Sequence, residues 1–197
     1  MRVLMIGPPG AGKGTQGALI AAHYDVPHIV MGDVLRDHVA RRTELGRAVQ
    51  TLLDRGELVP DEVVLDLVRR ALIAAKTGGG GYVFDGVPRT IAQARAGYQL
   101  ARELGMVAHV ALQLQADDEQ LVRRLLARAA IEHRSDDAEE VIRRRLALYH
   151  QVTQPILAWY AQRGILVSVD AMGPAEQVGG EVLTVLEAIR PLPAHAS

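Results

Sequence analysis

The chain has 197 residues, 49% of them hydrophobic and 23% charged, with a formal net charge of −1 and no cysteine. That length suits one domain with a substantial core, the near-neutral charge gives no global field for nucleic acid or a membrane surface, and the lack of cysteine excludes disulfides and any Cys-ligated zinc site. The apolar run after Arg2 is too short for a signal segment and no membrane-length apolar stretch follows, so the expected location is the cytoplasm.

In chain order, short apolar runs at 3–6, 28–30, 82–85, 107–114 and 165–169 read as strands. Longer amphipathic stretches separate them: 14–23, 33–55 with a break near Thr43, 61–76, 90–104, 117–130, 137–162 and 175–189. This alternation predicts an α/β domain on a five-stranded parallel sheet flanked by helices. Pro155 falls inside a helical pattern and is expected to kink it, and the tail from Pro191 is expected to fray. Two segments exceed what a simple crossover needs. Residues 31–60 hold two short helices, and residues 129–133 join two arginine-rich helix ends; both look like elements built over a site.

The segment from Gly7 to Thr15, GPPGAGKGT, carries the strongest chemical signal. It matches G-x-x-x-x-G-K-[ST] except that Gly14 stands where Ser or Thr is expected and Thr15 follows one place later. With a strand before and a helix after, its glycines aim backbone N–H groups at phosphate oxygens, and the helix dipole favours the anion. Lys13 then reaches the outer phosphates, and the Thr15 hydroxyl reaches a phosphate or Mg²⁺. The alternative is a glycine-rich turn without a ligand.

A second signal is the apolar strand ending in Asp85, followed by Gly86, Val87, Pro88 and Arg89. A carboxylate there suits Mg²⁺ opposite a phosphate loop, although it could also cap the next helix. The third is the arginines. Arg124 and Arg128 share a helix face, Arg134 stands before Ser135, Asp136 and Asp137, and Arg143, Arg144 and Arg145 follow. Such runs also form solvated faces, and the two aspartates read equally as helix caps and as ion-pair partners. Of the 22 basic residues 20 are arginines, the planar forks suited to phosphate.

With these pieces in order, the chain resembles the adenylate kinase family over nearly its whole length. The matching segments are GPPGAGKGTQ, Gly32-Asp33-Val34-Leu35-Arg36, residues 56–62 (GELVPDE), Asp85 to Thr90 with Gln93, Arg124-x-x-x-Arg128, residues 134–137, Arg145-Leu146 and residues 149–155. The resemblance implies a P-loop NTPase fold with a small helical AMP-binding insert at 30–60 and a short lid at about 129–134. The core would then comprise 1–29, 61–128 and 135–197. It implies reversible phosphoryl transfer from MgATP to AMP, giving two ADP.

By the same resemblance Gly10, Ala11, Gly12, Lys13, Gly14 and Thr15 hold ATP, with Arg124 and Arg128 on that side and Gly173 meeting its adenine through the backbone. Arg36, Arg89, Arg134 and Arg145 hold the AMP phosphate or bridge the nucleotides. Gln93 reads the AMP adenine, and Met31, Glu57, Leu58, Val59, Gly86, Val87 and Pro88 line its site. Lys13, Arg89, Arg128, Arg134 and Arg145 are the expected catalytic charges, and Asp85 the Mg²⁺-side carboxylate, acting through water. The short-lid form implies a monomer without structural zinc.

Three departures stand out. Met31 occupies a position where the family usually has a threonine that helps hold AMP, so weaker AMP recognition is expected. Ala127 replaces a frequent glycine, and Ala129 a frequent arginine. A pyrimidine monophosphate kinase is the nearest rival, against which Gln93 argues. A non-catalytic nucleotide-binding protein is the rival from another class.

Overall fold

The computed structural model describes residues 1–132 and 138–189, with side chains for 1–129 and 138–189. Arg134, Asp136 and Asp137, most of the expected lid and the tail from Pro191 lie outside the described residues.

Five parallel strands, β1 (Arg2–Ile6), β2 (His28–Val30), β3 (Tyr82–Asp85), β4 (Val110–Gln115) and β5 (Leu166–Asp170), form one sheet in the order β2-β3-β1-β4-β5. Each lies within a residue or three of its expected run. The largest shift is at β4, where 107–109 stay outside the strand. His109 there lies against Arg2, whose guanidinium Nε donates to His109 Nε2 at 3.1 Å. Burial, then the Arg2 charge, lowers the His109 pKa to about 4, so it accepts as the neutral imidazole at pH 7.

Strand periodicity decides what each face buries. Val3, Met5 and Val83 point to one face with Ile20 of α1 (Lys13–Tyr24), Leu121 and Leu125 of α6 (Asp118–Glu132), and Val182 and Leu186 of α9 (Ala175–Ile189). Tyr82 and Phe84 point to the other, against Val68 and Leu72 of α4 (Asp61–Thr77) and Leu100 of α5 (Ile91–Leu104). Each such large apolar side chain contributes roughly 1.5–3 kcal/mol on burial. The Tyr82 hydroxyl donates to the Met106 carbonyl at 2.8 Å, which satisfies its one buried polar atom.

The expected break near Thr43 separates α2 (Met31–Ala40) from α3 (Glu44–Asp54), and Thr43 caps α3 by accepting from the Gly46 N–H at 3.0 Å. These helices pack so closely that a Cβ on Gly46 would lie 2.0 Å from the His38 carbonyl oxygen.

The stretch expected as one helix kinked at Pro155 is divided instead. It runs as α7 (Glu139–Leu148), a π-helical turn (Tyr149–Thr153) and α8 (Ile156–Ala161), with the Gln154 N–H bonded to the Tyr149 carbonyl at 2.8 Å. Proline cannot donate, and its ring crowds the carbonyl four residues back. The chain accommodates it by winding the preceding turn one residue wider.

Candidate active site

The strand order places β1 between β3 and β4, so the crevice at the carboxyl ends of these strands is the natural ligand position. The glycine-rich loop leaves β1 there and enters α1 through Gly12, whose φ of 87° only glycine adopts without strain. Gly10, at φ 84°, has a second constraint: a Cβ on it would come 2.9 Å from Leu125 Cγ.

A cleft of about 580 Å³ opens over this loop. Gly10, Gly12, Lys13, Gly14 and Thr15 line it with Asp85, Gly86, Arg89, Arg124 and Arg128. Ala11 is buried beneath the loop, where it packs in the core rather than lining the cleft. Lys13 Nζ donates to the carbonyls of Gly7 at 2.8 Å and Pro8 at 2.9 Å. Burial lowers its pKa to about 8; Asp85 opposes that shift, while Arg89, Arg145 and Arg128 reinforce it. An arriving phosphate would restore the full charge.

Asp85 ends β3 and is buried. The reading of Asp85 as a helix cap fails, because α5 is capped by Thr90, which accepts from the Gln93 N–H at 3.0 Å. Among the described residues no cluster of three or more metal-ligating side chains exists. One carboxylate and the Thr15 hydroxyl in a phosphate cleft suit a Mg²⁺ that arrives on a nucleotide and keeps most of its waters.

A second hollow adjoins the first. Met31, Arg36, Glu57, Leu58, Val59, Gly86, Arg89, Gln93 and Arg145 line it, and Gly86, Arg89, Gly32 and Arg36 belong to both hollows. The Arg89 Nε donates to the Gly86 carbonyl at 2.9 Å, which holds the guanidinium at the junction. The Arg89 carbonyl in turn accepts the Thr153 hydroxyl at 2.9 Å. Arg36 is paired with Asp33 at the rim. Met31 is the first residue of α2 and is only 2% exposed, so its side chain is both a wall of the hollow and part of the core beneath it. Val87 and Pro88 stand behind this wall, joined by a cis peptide, and Pro88 also lines a small space with Lys13 and Arg145.

The arginines divide by role. Arg143 pairs with Glu139 and Glu119, and Arg144 with Glu140, all on the solvated face. Arg145 alone of the three turns inward, where it packs so closely on Gly56 that a Cβ there would lie 2.8 Å from Arg145 Cγ. Arg124 reaches the cleft wall, yet its guanidinium donates to the carbonyls of Ala171 at 2.9 Å and Met172 at 3.1 Å. It thereby fastens the loop that carries Gly173, and Gly173 itself does not line the cleft.

Sequence reasoning assigned no role to several residues, although Asp61, Thr90 and Thr153 fall in the segments it matched to the family. His28 lines the cleft over the glycine-rich loop from β2, with burial lowering its pKa. Thr153 and Thr90 hold the Arg89 turn, and Asp61 accepts from Gln93 at 2.7 Å. Their partners lie 29 to 64 residues away in the chain, so no local pattern announces them.

A parallel α/β sheet with a glycine-rich loop at its switch point, a buried carboxylate beside it and inward arginines defines a nucleotide-binding phosphotransferase. The comparisons with known proteins narrow this. The model of the family described as "Adenylate kinase" matches residues 5–165. The adenylate kinase of Thermobifida fusca is 44% identical over 187 residues, covering 95% of this chain and 98% of that protein. That of Thermus thermophilus is 43% identical over 184 residues, covering 93% and 96%, and that of Kocuria rhizophila 44% over 186 residues, covering 94% and 98%. The chain belongs to the adenylate kinase family.

Proposed function

We propose that this chain catalyses reversible transfer of the terminal phosphoryl group of MgATP to AMP, giving two ADP. The observation that carries the reading is the shared wall: Gly86 and Arg89 line both the donor cleft and the adjoining acceptor hollow. Two phosphate chains laid in those hollows would meet at the Arg89 guanidinium.

The phosphate loop, residues 10–15, would hold the triphosphate through backbone N–H groups and Lys13, with Arg124 and Arg128 on the same side. Arg36, Arg89 and Arg145 would hold the AMP phosphate, and Met31, Glu57, Leu58, Val59 and Gln93 would enclose its base. Asp85 would hold Mg²⁺ through water, and the ion would supply charge neutralisation on the transferring phosphates. No general base is required, because the attacking phosphate is already anionic. Phosphoryl transfer needs alignment and neutralised charge, and an arginine at the transition state is worth ~10³–10⁵ in rate, about 4–7 kcal/mol of barrier.

The insert at 30–60 and a lid at about 129–134, to which Arg134 belongs, would close over the nucleotides and exclude water, which prevents transfer to solvent. Donor and acceptor hollows both come from one chain, which supports a monomer. A net charge of −1, and no helix among the described residues able to cross a membrane, fit a role in the cytoplasm with small nucleotides as partners. The test is incubation with MgATP and a panel of monophosphates, following diphosphate formation. AMP is expected to be the acceptor; turnover of UMP or CMP in its place overturns the base assignment, and no turnover overturns the reaction.

A further inference from the structure

Gln93, 2% exposed in the first turn of α5, has both ends of its amide engaged. Its Oε1 accepts from the Arg89 backbone N–H at 2.7 Å, and its Nε2 donates to Asp61 Oδ1 at 2.7 Å. A backbone N–H can only donate and an ionised carboxylate can only accept, so the amide has one permitted orientation. Flipped, its oxygen would face the carboxylate and its NH₂ would face the N–H, turning two hydrogen bonds into two repulsions. Asp61 is fixed in turn: its Oδ2 accepts the Thr90 hydroxyl at 3.1 Å, and the Thr90 oxygen accepts from the Gln93 N–H at 3.0 Å. Asp61, Thr90 and Gln93 therefore close a ring in which each polar atom has a defined role.

Gln93 lines the acceptor hollow and Asp61 does not. What the hollow receives is the rest of the amide, one N–H and one oxygen lone pair, in an order that Asp61 and the Arg89 N–H dictate together. The pairing edge of adenine offers a donor at the 6-amino group and an acceptor at N1. A 6-oxopurine offers the reverse, an acceptor at O6 and a donor at N1. An amide free to flip satisfies both edges. A locked amide satisfies one and sets donor against donor on the other, a mismatch that hydrogen-bonding sites reject strongly.

We infer that Asp61 is a positioning residue for base discrimination: it locks the Gln93 amide so that the acceptor site takes a 6-aminopurine monophosphate and refuses a 6-oxopurine one. This rests on the proposed role of the hollow as the AMP site. Asp61 contributes through Gln93, and the Asp61–Gln93 bond is of the charge-assisted kind, among the stronger ones.

The test compares AMP with IMP, which differs only at that edge, in the wild-type protein and in Asp61→Asn and Asp61→Ala. Asparagine keeps the shape but can either accept from or donate to Gln93, so the Asp61 half of the lock is loosened without a cavity while the Arg89 N–H is kept. The ratio of kcat/KM for AMP to that for IMP is expected to fall about tenfold in both variants, with the KM for ATP unchanged. Asp61→Asn carries the test if Asp61→Ala does not fold. A folded Asp61→Asn protein that keeps the wild-type ratio overturns the inference. So does an equal loss for both acceptors, which would mark a packing role only. A wild-type protein that prefers AMP while its variants keep that preference overturns this assignment alone; one without AMP turnover overturns it together with the proposed reaction.

Discussion

The two halves of the cleft, donor and acceptor in the proposed reaction, are held by different kinds of structure. On the donor side the contacts come from a short continuous loop whose shape is set by positive-φ glycines at 10 and 12, and Lys13 rests on that loop's own carbonyls. On the acceptor side the walls come from α2, the end of α3, the turn after β3, α5 and α7, joined by side-chain bonds such as Thr153 to Arg89 and Gln93 to Asp61. Contacts to phosphate carry no information about the base, whereas side chains set at a base edge do. The division fits a protein that must grip a triphosphate on one side and choose a monophosphate on the other.

Arg89 belongs to both halves, so removing it should break the comparison most severely. Arg89→Ala is expected to lower kcat by at least about 100-fold, from the rate magnitudes of transition-state arginines. Steady-state kinetics with each substrate varied checks this, and a change in KM alone would remove Arg89 from the chemistry.

Next come two glycines, one in each half. Gly10→Ala forces a left-handed φ on alanine and drives its Cβ toward Leu125. At about 1–3 kcal/mol of strain it should weaken ATP binding roughly tenfold and leave AMP binding alone. Gly46→Ala wedges α2 from α3 against the His38 carbonyl and should do the reverse, with about 1–3 kcal/mol lost in stability. Titration calorimetry with each nucleotide separates the two outcomes; a variant that loses both ligands equally shows that the halves are not independent.

Met31→Thr sharpens the acceptor side. The returning hydroxyl is worth ~0.5–1.5 kcal/mol, so the KM for AMP should fall two- to tenfold while that for ATP holds. The buried methionine's packing is lost at the same time, and thermal unfolding should shift down. An unchanged kcat/KM for AMP would show that Met31 does not weaken recognition.

The smallest effect is on the donor side and depends on pH. Lys13 in the free protein has its pKa lowered to about 8, chiefly by burial, and bound phosphate favours its charged form. ATP binding above pH 8 therefore takes up a proton, and affinity falls about threefold between pH 7.5 and 8.5. Calorimetry in buffers of different ionisation enthalpy measures that uptake; none at pH 8.5 would mean that Lys13 is charged before ATP arrives.

The same division explains what could be read from the chain. The strands and the phosphate loop are legible because their signals are local: short continuous apolar runs, glycines at fixed offsets and a lysine in register. Arg143, Arg144 and Arg145 look alike in sequence, and only the angular position on α7 sends Arg145 inward while the other two meet Glu139 and Glu140. Asp61 reads as an acidic residue at a helix start, and its bond to Gln93 exists only after α4 packs on α5. Pro155 marked a disturbance in its helix, but the form of that disturbance depends on how the neighbouring turns pack.

That widened turn has a consequence for chain length. Regular winding advances 100° per residue and a wider turn advances less, so the π turn takes up one extra residue with little net rotation, whereas a one-residue change that this turn did not absorb would rotate everything after it by about 100°. Trp159 and Tyr160, now buried with Ile6 and Ala111, would swing off the sheet, although no apolar side chain need be deleted. The segment thus behaves as a phase adjuster between the helix that carries Arg145 and the one that seals the sheet.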